Sequence, residues 1–315
     1  MKATSKWSRW LFVGLVCLAS PAVLASDRPA KTKYVVAFAQ DTMANDWRAA
    51  QVRDLKNTLA QYPFVELVFS DANGDTARQV QDIENFAAKG VDILITSPRD
   101  AELMREPIAR VYRQGIPVIL LSRRVQGEEF THFITADNKA IAHQAAQLLA
   151  QRLKGKGKVL VLQHIPTSTP GKLRTEGFNE ELKKYPGIQV VATKRADSLR
   201  SMAIQRVEEA LVEKLQFDAI YAQSDSMAMG ALMALKKAGR DPKKIPITGI
   251  DYISEAREAI RAGDLYASFT YPTFGKEGAE AAVQLIRGKK LDRKEVFIDS
   301  TAVTRANVEK IEPIF

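Results

Sequence analysis

A recurring pattern in this chain places side chains able to exchange hydrogen bonds directly after short apolar runs. Gln40 ends the first run and leads into Asn45, Asp46, Trp47 and Arg48. Ser97 with Arg99, Ser122 with Arg123, the stretch His164 to Arg174, Asp197 with Ser198, Ser224 with Asp225, and Asp251 hold corresponding places later in the chain, and Asp137 stands where the pattern changes character. Amide, hydroxyl, carboxylate and guanidinium groups with one aromatic ring suit the holding of a polar ligand. In an open parallel α/β sheet, ligands bind outside the carboxyl ends of the strands. Any single strand end adjoins a polar loop, so the weight rests on the series.

The chemistry that would break bonds is not indicated. A serine hydrolase needs a G-x-S-x-G elbow, and none occurs. His132, His143 and His164 make neither H-x-x-H nor H-E-x-x-H, so no metal site is expected. The "GKGK" at 155–158 lacks the spacing of a phosphate-binding loop and no G-x-G-x-x-G follows a strand, so no nucleotide cofactor is expected. Carboxylates are plentiful, but none can be assigned acid and base roles. The expectation is a binding protein with neither cofactor nor metal.

The elements that must position these groups read clearly. The runs "YVVAFA", "VELVFS", "VDILIT", "IPVILL", "KVLVLQ", "IQVVAT", "FDAIYA" and "IPITGI" suit strands covered on both faces. Between them lie segments such as "DTARQVQDIENFAAKG", in which Val80, Ile83, Phe86 and Ala87 recur at helical spacing. The fold class is therefore α/β, with two doubly wound parallel-sheet domains. A crossover is expected near 136–139, where Asp137 and Asn138 separate a short strand from a long helix and "KGKGK" resets into a new first strand. The late unit "ASFTYPTFGKEGAEAAVQLIRGKK" is expected to return to the first domain.

The chain has 315 residues and a formal charge of +9. Lys2, Lys6 and Arg9 precede "LFVGLVCLA", and Val23 and Ala25 stand where a signal peptidase reads, so residues 1–25 are read as a cleaved export signal. Leu11–Ala19 is too short to span a membrane. Cys17, the chain's only cysteine, lies within that signal and follows Val16 rather than the small residue lipoprotein processing requires, which leaves the exported chain without thiols. Removal of the three signal cations leaves +6. The remaining Lys and Arg are interleaved with acids, as in "EELKKYPG", which reads as a solvated surface and not a nucleic-acid interface.

"ENFAAKGVDILITSP", "GIPVILLSRR", "FITADN", "TPGKLRTEGF", "FDAIYAQSDSMAMGAL", "ITGIDY" and "GKEGAEAAVQLIRGK", in this order and spacing, resemble the ribose-type periplasmic sugar-binding proteins over Lys33 to about Val303. These are the solute receptors of bacterial sugar importers and chemotaxis systems. The resemblance implies two domains joined by a three-segment hinge, here 26–137 plus 271–300 and 138–270 plus 301–315, closing over one ligand. It implies a periplasmic location, a monomer, and an ABC permease as partner, or alternatively a sensor kinase or chemoreceptor. It also implies that Trp47 stacks on the ligand, that Arg123, Arg174 and Asp251 bind hydroxyls, that Ser224 replaces a common asparagine, and that Thr270 stands at the last hinge crossing where a glutamine often contacts ligand. On this reading truncation of Trp47 weakens binding and leaves folding nearly unchanged.

Two departures from the family pattern bear on the ligand. Ser122 stands before Arg123 where relatives often have an aspartate, and Ser198 stands where an aromatic is common. With Arg48, Arg99, Arg123, Arg124 and Arg174 crowding the same edge, a sugar acid is as open as a neutral sugar.

Overall fold

The computed structural model describes Met1 and residues 31–315. The export signal expected over 1–25 therefore lies, Met1 apart, outside the described residues. The first sheet is built from β1 (Tyr34–Gln40), β2 (Val65–Asp71), β3 (Ile93–Thr96), β4 (Val118–Leu121) and β5 (His132–Thr135). Its helices are α1 (Asp46–Leu59), α2 (Thr76–Ala88) and α3 (Arg105–Arg113). A long helix, α4 (Asn138–Arg152), then leads into β6 (Lys156–Gln163), α5 (Thr169–Leu182), β7 (Gly187–Arg195), α6 (Arg200–Val212), β8 (Ala219–Ala222), α7 (Asp225–Lys237), β9 (Ile247–Thr248) and α8 (Ser254–Ala262). The chain closes with β10 (Ser268–Phe269), α9 (Gly275–Ile286), β11 (Glu295–Phe297) and β12 (Ala302–Val303).

Strand order is β11-β5-β4-β3-β1-β2 in the first sheet and β7-β6-β8-β9 in the second, and every pairing within them is parallel. The late unit does return: β11 pairs with β5, while the buried face of α9 contributes Ala279, Ala282 and Val283 to the core that also holds Val36, Ile119 and Leu121 of the first sheet. The chain crosses between sheets after β5, after β10 and after β11. β10 and β12 pair antiparallel beside the second sheet, and an isolated bridge joins Asp251 to Thr270. The fold is a two-domain α/β architecture of parallel sheets.

Why the helices start where they do matters for the site. Asn45, Asp75, Asp137, Ser168 and Ser224 each accept a backbone N–H from the first turn of the helix that follows. Small polar caps satisfy donors the helix leaves free. In a parallel sheet that need arises just past the carboxyl end of a strand, so capping chemistry and ligand chemistry fall in the same loops.

The second domain is held by close helix contact. A Cβ added at Gly177 of α5 would lie 2.5 Å from the Lys139 carbonyl oxygen and 3.0 Å from the His143 ring of α4. Gly177→Ala gains about 1 kcal/mol of helix propensity but overpacks this contact, at about 1–3 kcal/mol. A net fall in the denaturation midpoint with unchanged m is expected, and a more stable variant would show that the two helices part freely.

Candidate functional site

The carboxyl ends of both sheets meet on one cavity with about 300 Å3 of empty space, lined from the first domain by Asn45, Trp47, Arg48, Ser122 and Tyr271. From the second domain come His164, Pro170, Arg174, Ser198, Ser224 and Asp251. Eight of the residues picked out in the sequence therefore share one cavity: Asn45, Trp47, Arg48, Ser122, Arg174, Ser198, Ser224 and Asp251. The domains are tied across it. Asn45 Nδ2 donates to the Ser198 carbonyl at 2.6 Å and to Ser226 Oγ at 3.2 Å, and Arg99 Nη2 meets Asp197 Oδ2 at 3.3 Å.

A residue the sequence reading passed over organises the arginines. Asp41, fully buried, accepts from Arg123 Nη1 at 2.7 Å and lies 3.5 Å from Arg48 Nε and 3.6 Å from Arg99 Nη1. Burial alone would raise its pKa, but Arg123 and Arg48, with Arg99 behind them, hold the carboxyl below its ordinary value. Arg48 in turn drops to about 9, because burial and the nearby Arg123 charge outweigh Asp41. Ser97 and Gln51 accept from Arg48 Nη1 at 2.6 and 3.1 Å. Ser97 and Arg123 therefore stand behind the cavity wall, fixing its shape. The carboxylate that answers Arg123 is Asp41, just past the end of β1 and behind the cavity wall.

Other expectations move by one residue. Gln40 is buried among Gln51 and its own loop, and its neighbour Asp41 meets the arginines. Asp137 is exposed and spends its carboxylate on the N–H groups of Lys139 and Ala140; the next residue, Asn138, bonds Arg174 Nε at 2.9 Å and the Tyr271 hydroxyl at 3.3 Å. Thr270 accepts from Thr301 N at 2.8 Å in the hinge, while Tyr271 faces the cavity. Asp46 points outward to Arg200 of the second domain at 3.0 Å. None of these four lines the cavity.

Trp47 lines the cavity, yet it is also core. Its Nε1 donates to the Tyr271 carbonyl at 2.9 Å, its ring packs on Tyr271 and Phe274 at 5.7 and 6.2 Å, and the Arg48 guanidinium covers it at 4.8 Å. Removal of the ring costs folding as well as binding, about 3–5 kcal/mol for a buried Trp→Ala; the expectation of unchanged folding is corrected. Tyr271 is the second ring that Ser198 does not supply. Its hydroxyl bonds Ser122 Oγ at 3.0 Å, and Arg174 stacks over it at 4.7 Å. A hydrophobic residue beside a hinge proline gave no signal that would have separated it from core.

His164 is buried, and burial together with Arg123, Arg174 and Arg48 holds its pKa well below the ordinary value, so the ring is neutral; Nδ1 pairs with Ser168 Oγ at 3.1 Å. His132 and His143 have other duties, on the Arg293 carbonyl and on Glu180. Asp251 faces Asp225, whose carboxylate accepts from Ser268 Oγ at 2.8 Å and from Ile253 N at 3.0 Å. Burial, and for Asp251 the Asp225 charge as well, pushes both pKa values up. Ser224 Oγ caps α7 through Met227 N at 3.3 Å, which leaves its hydroxyl hydrogen for a ligand. Arg123 Nε and Ser198 Oγ are buried polar atoms without a partner among the described residues, and such groups are costly unless something answers them.

The acid pair sets a pH expectation. Folded pKa values raised above the unfolded ones give stability that is full below about pH 4 and lost as pH rises through the raised values. Asp251→Asn should therefore raise the Tm of the unliganded protein at pH 8 by roughly 2–6 °C, a gain that shrinks toward pH 5. His132 and His164, with lowered pKa values, pull the other way in both proteins and cancel in the difference. A lower Tm at pH 8 would contradict the strained pair.

The sequence pattern of the periplasmic binding protein domain matches residues 36–290. The chain is 30% identical over 315 residues to the xylitol-binding protein of Mycolicibacterium smegmatis, covering 98% of this chain and 88% of that one. It is 29% identical over 273 residues to the ribose import binding protein of Haemophilus influenzae, covering 86% and 92%. Among solved structures, the fructose-binding periplasmic domain of a hybrid two-component system superposes with a TM-score of 0.82 at 30% identity, over 88% of this chain and 92% of that one. An ABC transporter solute-binding protein of Bacillus halodurans with bound myo-inositol gives 0.83 at 26% identity, over 89% and 97%. With two parallel sheets closing their strand ends on one polar cavity, and with that pattern matched along most of its length, this chain belongs to the periplasmic binding protein family.

Proposed function

We propose that this chain is a periplasmic solute receptor that closes over one neutral polyhydroxylated molecule, a monosaccharide or polyol, and delivers it to an ABC permease. The observation that carries the neutral ligand is the pairing at Asp41. Arg48 and Arg123 are answered by that carboxylate, Arg99 by Asp41 and Asp197, and Arg124 by Glu128 and Glu295. Arg174 lines the cavity and is held by neutral acceptors, Asn138 Oδ1 and the Gln223 carbonyl. The shared carboxylate offsets part of this positive charge and fixes the guanidinium groups as directed hydrogen-bond donors, which suits hydroxyls. The compounds for which these relatives are named or with which they were solved, xylitol, ribose, fructose and myo-inositol, are uncharged polyhydroxylated molecules of this kind.

In this reading the ring faces of Trp47 and Tyr271 meet the ligand's C–H surface, and Arg174, His164, Asn45, Ser198, Ser224 and Asp251 divide its hydroxyls. The lobes 26–137 plus 271–300 and 138–270 plus 301–315 turn about the three crossings, and ligand shifts the population toward the closed form because it touches both lobes only there. The protein works as a monomer, without metal or cofactor, after export directed by residues 1–25. A sensory role is the second reading, supported by the 30% identity to a domain of a two-component system.

Thermal-shift and calorimetric titration with xylitol, ribose, fructose and myo-inositol against sugar acids tests the ligand class. At about 100 times its Kd, a ligand adds about 2.7 kcal/mol of stability. A neutral compound should bind, with affinity nearly independent of salt, and Asp251→Asn should weaken it by about 1–3 kcal/mol. Tight, salt-sensitive binding of a sugar acid alone would overturn the neutral reading. Uptake by vesicles carrying the cognate permease, against ligand-dependent phosphorylation of a sensor kinase, separates the two roles.

A further inference from the structure

The amino end of the second sheet, opposite the ligand cavity, carries a second concavity. It is open to solvent, has about 1230 Å3 of empty space, and includes among its lining residues Arg152, Lys156, Lys158, Arg240 and Lys244 with Asp218. β6 runs the eight residues from Lys156 to Gln163, about 26 Å at the usual rise, so the two cavities lie at opposite ends of one strand. The glycine-lysine run at 155–158, which the ligand site leaves unused, forms the rim. Gly155 takes φ +77°, and Gly187 of the neighbouring strand comes so close that a Cβ there would stand 2.5 Å from the Gly155 carbonyl oxygen. Two lysines are thus projected from a backbone fixed by glycines.

The cations of this concavity are exposed, and none has a carboxylate partner among the described residues. Other cations of the same domain are paired: Arg206 with Glu209, Lys236 with Asp264, Lys237 with Glu208, Arg257 with Glu312 and Arg261 with Glu309. The acid within reach, Asp218, already accepts from Lys158 N at 2.7 Å. An adjoining cavity shares Arg152 and adds Lys243 and Arg305, while its own acid, Asp264, is taken by Lys236. Like charges gathered in a concave surface repel one another and focus a positive potential.

We infer that this concavity binds a phosphate-bearing anion. Arginine offers a planar fork to phosphate oxygens and lysine a mobile point charge, and the wall supplies both from three different segments. A carboxylate has fewer oxygens and less charge to spread over five donors. The site shares no lining residue with the solute cavity. A soluble phosphate ester and an anionic lipid headgroup share this chemistry.

Calorimetry with inorganic phosphate and pyrophosphate, and sedimentation with phosphatidylcholine vesicles with or without phosphatidylglycerol, form the test. Lys156→Gln with Arg240→Gln should weaken binding about tenfold or more, 1.4 kcal/mol or above. Lys56→Gln with Lys89→Gln, which removes the same charge from the first domain, should leave binding unchanged, and Tm should hold in both because all four side chains are exposed. Binding of phosphate but not vesicles assigns a soluble ester; binding of phosphatidylglycerol vesicles alone assigns a headgroup. No binding of any probe, or equal weakening by both double variants, overturns the inference.

Discussion

The site depends on one buried carboxylate. Asp41 leaves β1 at the seam between the domains, and three guanidinium groups turn toward it: Arg48 from the following helix, Arg123 from the end of β4, and Arg99 from the loop after β3. Without an acid there, three cations would share a nearly dry space, and burying even one unpaired charge costs several kcal/mol. With it, Arg48 and Arg123 are held at defined positions and Arg99 is left free to reach Asp197 across the cavity. The same residue thus shapes the wall, lowers its net charge and connects the first domain to the second.

This dependence explains which parts of the site the sequence made legible. The strands were readable because each is a buried apolar run, and the edge at which a ligand would sit follows from parallel order alone. The errors at Gln40, Asp137 and Thr270 are shifts of one residue with definite causes. Successive residues of an extended segment face opposite sides, so Thr270 turns to Thr301 while Tyr271 enters the cavity. At a helix start a cap spends its side chain on the backbone, so Asp137 is consumed and Asn138 is free to bond Arg174. Register at this resolution is decided by the loop's path, and composition does not record it.

Partnership over long stretches of sequence was harder still. The acid that answers Arg123 lies 82 positions before it, and the aromatic that completes the wall with Trp47 lies 224 positions after it. A serine before Arg123 looked like a lost acceptor because the acid was sought next to the arginine in sequence. What the fold requires is an acid next to it in space, and β1 lies one strand away from β4 through β3.

Charge counting misleads for the same reason. The carboxyl end of the first sheet is rich in arginine, but its cations meet Asp41, Asp197, Glu128 and Glu295, which offset part of that charge. The amino end of the second sheet carries a similar number of cations, and there the nearby acids are already engaged. The excess positive charge of the chain is therefore not spread evenly over a solvated surface. Pairing offsets part of it at the carboxyl ends of the first sheet, and leaves it unpaired at the amino end of the second sheet, where the potential extends into water.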